Sequence, residues 1–212
     1  PTLYPRYGAC VALSKLGQAA APAVPALRKC LKDEDLWLRI SAAEALAKIG
    51  EPAMEALPEL LTMIAKGATP SDPRAMEQRY LSFAVFGDML RRSSLEGVDR
   101  ELLRKAVAAG IGNEDGRARG AVAGIYQKLS YEEIKPLLPA IHEAVVKPAP
   151  SGIMFCGQVR LAGVALLAKH RIKEGLPLCI DVMEIDKWGK QDRIKSALRS
   201  IEVYGAAAKP LI

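Results

Sequence analysis

The stretch "RISAAEALAKIG", residues 39–50, opens on an arginine, keeps apolar or small residues on one helical face and stops at a glycine. Close versions recur: "RYGACVALSKLG" at 6–17, "RYLSFAVFGDML" at 79–90, "RGAVAGIYQKLS" at 119–130, "RLAGVALLAKHR" at 160–171 and "IKSALRSIEVYG" at 194–205. Their starts lie 33, 40, 40, 41 and 34 residues apart, a period that signals a repeat architecture rather than one globular core. Seven residues after each start stand Leu13, Leu46, Phe86, Tyr126, Leu167 and Ile201, and ten after stand Leu16, Ile49, Met89, Leu129, His170 and Tyr204. Three after stand Ala9, Ala42, Ser82, Val122, Gly163 and Ala197. Positions 3, 7 and 10 share one helical stripe, and small residues at position 3 let two helices approach closely.

A second helical pattern alternates with the first. It runs from Pro22, Pro52, Val98, Tyr131 and Ile172. Pro22 and Pro52 suit a first turn, where a missing N–H costs nothing, and Ser130 with Glu133 forms a capping box. Pro25, Pro58, Pro139 and Pro177 fall inside the pattern and are expected to kink it.

These residues carry a family resemblance. The internal prolines, the Asp33/Asp35-to-Arg39 turn and the "AAEALAKIG" segment resemble a HEAT repeat, of the short bacterial kind similar to the repeats of phycobilisome-lyase-type proteins. The resemblance implies an all-α fold: a right-handed α-α superhelical solenoid of five to six HEAT-like helical hairpins, with residues 1–212 as a single array and about 11 helices. It also implies that turn acids (Asp33, Asp35, Asp72 and Asp115) pair with the arginine of the neighbouring unit as a structural ladder. The competing reading of those arginines is a row of anion sites. The array is expected to be a fragment of a longer protein. It opens on a second helix without its first and closes on "AAAKPLI", an echo of "AAAPAVPAL".

Composition narrows the activities. The net charge of +6 arises from 30 basic and 24 acidic residues with no run of five like charges, so the surface is mixed. Cys10, Cys30, Cys156 and Cys179 form no C-x-x-C and are expected as buried free thiols. His142 and His170 are the two histidines, too few beside one glutamate to surround a metal. No G-x-S-x-G, H-E-x-x-H or P-loop occurs, and the glycines of "AGIGNEDGRARG" join two helices. No catalytic residue, metal or cofactor is expected, and no apolar run spans a membrane.

What remains is surface. Positions 5 and 8 of the second helices (Val11, Glu44, Ala84, Gly124, Ala165; Ser14, Ala47, Gly87, Gln127, Ala168) are small and nearly uncharged. They predict either a tightly curved inner face or a groove that receives a protein segment. Two long turns, 66–73 and 147–157, share an edge with both tryptophans, so Trp37, Met154, Phe155 and Trp188 are the candidate partner-binding residues. The expected function is a non-catalytic protein-interaction or structural scaffold within a larger protein, its partner another protein or a flanking domain of the same chain. The alternative is nucleic-acid binding through a lysine row, Lys15, Lys48, Lys128 and Lys169, broken by Asp88. Lysine before a helix stop also complements the helix dipole, which is the plainer account of that row.

Overall fold

The computed structural model describes residues 2–152, 155–185 and 189–211. Among them there is no strand, and extended contacts are limited to two isolated bridges, Thr69–Asp72 and Asp115–Ser151. The residues form two compact units, Pro1–Glu114 and Asp115–Ile212.

The first unit contains α1 (Leu3–Leu16), α2 (Val24–Cys30), α3 (Leu36–Ile49), α4 (Leu57–Ala65), α5 (Met76–Ser82), α6 (Leu90–Arg92) and α7 (Arg100–Ile111). A π-helical stretch, Phe83–Met89, joins α5 to α6 in one rod. The second unit contains α8 (Gly116–Ala123), α9 (Tyr131–Ile134), α10 (Leu138–Val146), α11 (Cys156–Lys169), α12 (Gly175–Glu184) and α13 (Lys190–Tyr204). Second helices neighbour one another in chain order: α3 packs on α1 and on α5 with its π stretch, and α11 packs on α8 and α13. First helices do the same, α4 against α7 and α10 against α12. Each unit is thus an all-α stack of hairpins of the solenoid class.

The expected stripe is the core. Ala42, Leu46, Ile49, Phe86, Met89, Val122, Tyr126, Leu129, Leu167, Ala197 and Tyr204 are all buried. On Gly163, a Cβ would run into Val145 of α10, so the small residue there sets how closely α11 approaches. His170 and Ile201 are half-buried. On α1, Ala9 is exposed and Leu16 is 60% exposed, because among the described residues α3 is the one second helix packed against it.

Local signals explain the breaks. Pro25, Pro58 and Pro139 do not kink helix interiors. They sit at the starts of α2, α4 and α10, each preceded by a 3-10 stretch (Gly17–Ala23, Glu51–Ala56 and Lys135–Leu137). Proline occupies the joint between 3-10 and α geometry, where its missing N–H is spared. The capping box of Ser130 and Glu133 is formed. Asp35, Asp99 and Asp115 cap α3, α7 and α8 by accepting from the amides of Leu38, Leu102 and Arg117 at 2.8, 3.0 and 2.8 Å.

Gly17, Gly50 and Gly205 end α1, α3 and α13 in one shared conformation, with φ of 55°, 78° and 56° and ψ of −133°, −131° and −128°. Residues with a Cβ essentially do not enter that region. A Cβ on Gly50 would meet nothing within 4 Å, so its substitution cost is conformational alone. Gly50→Ala should destabilise the protein by about 1–3 kcal/mol. Gly8→Ala, on the equally open surface of α1, should instead stabilise it by about 0.5–1 kcal/mol. Urea midpoints at unchanged slope test the pair; equal losses in both would refute the backbone explanation.

Candidate functional site

Three of the arginines at the starts of the second helices reach backbone carbonyls. Arg39 donates through Nη1 to the carbonyls of Asp33 and Glu34 at 2.8 and 3.0 Å. Arg160 donates to Val145 O at 3.1 Å, and Arg193 to Ile185 O at 2.7 Å. Each of these carbonyls lies just beyond, or in the last turn of, the preceding first helix, where carbonyls lack intrahelical partners. A fixed cation there also opposes the negative helix end. These three guanidinia are occupied, which removes them as anion sites.

The acid ladder is partial. Arg6 pairs with Asp33 at 2.6 Å, as the resemblance implies. Arg39 pairs with Glu77 rather than Asp72. Asp72 turns back on its own loop and accepts from the amides of Met76 and Glu77 at 3.0 and 2.8 Å. Asp115 pairs with Arg117 of its own helix at 2.8 Å and takes the Ser151 hydroxyl at 3.3 Å. Both long turns are therefore organised by a buried aspartate, Asp72 within the first and Asp115, the N-cap of α8, against the second. Gly116 N donates to Ser151 O at 2.8 Å and fastens the second turn to the start of α8.

Trp37 stands 45% exposed on α3, its ring edge-on to Tyr80 of α5 at 5.5 Å between centroids. The Arg79 guanidinium lies 4.6 Å from the centre of the Tyr80 ring. An aromatic pair with a stacked cation is a typical interface anchor. Phe155, at the start of α11 in the second unit, is 38% exposed. Met154 and Trp188 lie outside the described residues. Tyr80 was not singled out from the sequence. The signal was present, since Trp37 stands two before its arginine and Tyr80 one after its own, on adjacent second helices.

The small-residue positions divide. Ala47, Ala84 and Ala168 are buried, whereas Val11, Glu44 and Gly124 are exposed. In the second unit they border a groove of about 400 Å3 between α11 and α13, lined by Leu161, Ala162, Ala165, Ala168 and Val203 with Arg199 at its polar side. Val203 is 47% exposed there.

Of the lysine row, Lys48 is taken by Asp88 at 2.7 Å and Lys169 donates to Gln127 O at 2.8 Å. Lys15 and Lys128 are exposed. Among the thiols, burial pushes Cys10 and Cys179 up to about 11, so both stay protonated at neutral pH. Cys30 is half-buried, its sulfur 3.9 Å from the Arg6 guanidinium. Burial, then Lys169, lowers the His170 pKa. Among the described residues no group of three His, Cys, Asp or Glu could hold a metal ion, and no helix is long and apolar enough to cross a membrane.

Hairpins stacked on their sequence neighbours, with Arg39, Arg160 and Arg193 tied to carbonyls at the end of the preceding first helix and an open groove between α11 and α13, define a helical-repeat protein. Residues 4–78 match the family model for HEAT repeats, so this segment of the chain is similar to HEAT repeats. No curated protein and no solved structure matches the chain. HEAT repeats serve generally as protein-interaction scaffolds and are typically non-catalytic.

The Asp33–Asp35 turn has a defined response to acid. The Asp35 amide, then Arg6, holds Asp33 below its ordinary 3.8, and Tyr7, then the Leu38 amide, does the same for Asp35. A depressed folded-state pKa contributes stability above the unfolded value and loses it as pH falls through the folded one. Asp33→Asn should lower stability at pH 7 and flatten the decline of stability below pH 3.8, measured by urea denaturation across pH. An unchanged acid limb would remove the turn from the acid response.

Proposed function

We propose that the chain is a non-catalytic scaffold that binds another protein, or a flanking domain of its own chain, along its second helices and at its aromatic edge. The observation that carries this reading is the groove between α11 and α13. Its walls are mostly alanine, leucine and valine, its polar groups are Ser196, Arg199 and Ser200, and it is open to a partner. Burying apolar surface there gains roughly 25 cal/mol per Å2, and alanine walls lose little side-chain entropy on contact. Trp37 with Tyr80 supplies an aromatic anchor in the first unit and Phe155 one in the second. Met154 and Trp188, the other candidates read from the sequence, complete the proposed partner-binding set. The proposal takes 1–212 as one array, because the arginine-led segment recurs on both sides of Glu114.

Nucleic-acid binding is the competing reading, and the row it needs has Lys48 and Lys169 engaged. A photo-crosslinking benzoylphenylalanine at Val203 in the full chain separates the two. On the scaffold reading it yields protein adducts, and Ala165→Glu weakens that contact about tenfold. Nucleic-acid adducts, with binding that falls steeply with salt and with Lys15→Glu and Lys128→Glu, would replace it. No adduct and no effect of either set would leave a structural spacer and refute the binding role.

A further inference from the structure

A second cavity lies in the first unit, between α4 and the turn joining α2 to α3. It measures about 550 Å3, inside the roughly 300–1,000 Å3 range of ligand sites. Leu31 and Met63, both buried, give it an apolar lining together with Pro58.

Its charges fall into two sets. Asp33 is taken by Arg6 at 2.6 Å and by the Asp35 amide at 3.0 Å. Glu59 Oε1 is taken by Arg28, whose Nε lies 3.1 Å away, and Arg39 is spent on the turn carbonyls and Glu77. The two lysines of the lining, Lys32 and Lys66, are exposed, and their ammonium groups have no hydrogen bond or ion pair among the described residues. Each acid in the lining thus already has its own cation, and two positive charges are left uncompensated. One acceptor is also left over. Glu59 Oε2 is buried without a hydrogen-bond partner among the described residues. An occupant that brings an N–H would remove that penalty.

We propose that this pocket binds a short acidic peptide segment of a partner protein. One apolar side chain enters over Leu31 and Met63, flanking carboxylates pair with Lys32 and Lys66, and a main-chain N–H donates to Glu59 Oε2. A phosphate backbone fits poorly. It brings neither an apolar side chain for Leu31 and Met63 nor a donor for Glu59 Oε2. The site shares no residue with the α11–α13 groove, so it stands or falls separately from that surface.

The probe is a fluorescein-labelled peptide, Asp-Glu-Leu-Glu-Asp, followed by fluorescence anisotropy with the full chain. Saturable binding is expected, weakening with salt, together with shifts of the Met63 and Thr62 methyl resonances. Replacing the peptide leucine by serine should weaken it about tenfold. Lys32→Glu with Lys66→Glu should weaken it about tenfold or more. Lys105→Glu with Lys173→Glu, the same charge change elsewhere, should leave it intact. The lysines exchanged are all exposed, so folding is retained, and circular dichroism checks it. The proposal is overturned by absence of binding, by equal loss in both lysine pairs, by indifference to the peptide leucine, or by an oligonucleotide binding more tightly through Lys32 and Lys66.

Discussion

Each second helix carries apolar groups on more of its circumference than its own hairpin can cover, so the next hairpin has to supply the rest. Leu46 and Phe86 are fully buried because α3 is sandwiched between α1 and α5. α1, with one second helix beside it among the described residues, leaves Leu16 and Val11 in water. The arginine bonds follow from the same hairpin geometry. The first helix ends on carbonyls without intrahelical partners, and Arg39, Arg160 and Arg193 of the following second helices reach them with a long, permanently charged donor. Burial and turn satisfaction are thus solved once and repeated.

Most of this architecture is written in spacing. The six recurring segments, five opening on arginine and the last preceded by Arg193, fall on α1, α3, α5–α6, α8, α11 and α13, each helix beginning three residues before its arginine, or four in α11. The glycine stops were readable because Gly17, Gly50 and Gly205 occupy the same place after an apolar stripe. What was not readable was the exchange of roles among acids. Asp72 and Glu77 lie five apart, and either could receive Arg39; which one does depends on the path of a loop that Asp72 itself organises. The prolines misled for a related reason. Sequence places them inside a helical pattern, but only geometry tells that the pattern changes from 3-10 to α at that residue.

The surfaces were less legible than the fold. Trp37 stood out by rarity, but its partner Tyr80 depends on two helices meeting at a particular height. The small-residue positions gave one groove rather than a uniform face, since Ala47 and Ala84 are consumed by packing while Ala165 is not. The cavity beside α4 was invisible in sequence. It depends on which lysines remain after Arg6, Arg28 and Arg39 have chosen partners, and that count exists only once the chain is folded.

The π-helical stretch Phe83–Met89 has its own consequence for how this chain could change in length. A turn closed by i→i+5 bonds is wider than an α turn and accommodates an additional residue. Phe86 and Met89 remain in the core across it, so the helix carries this surplus without rotating its contacts out of register. That hairpin is the place where an insertion or deletion of one residue could be absorbed in the course of descent, leaving the neighbours on either side undisturbed.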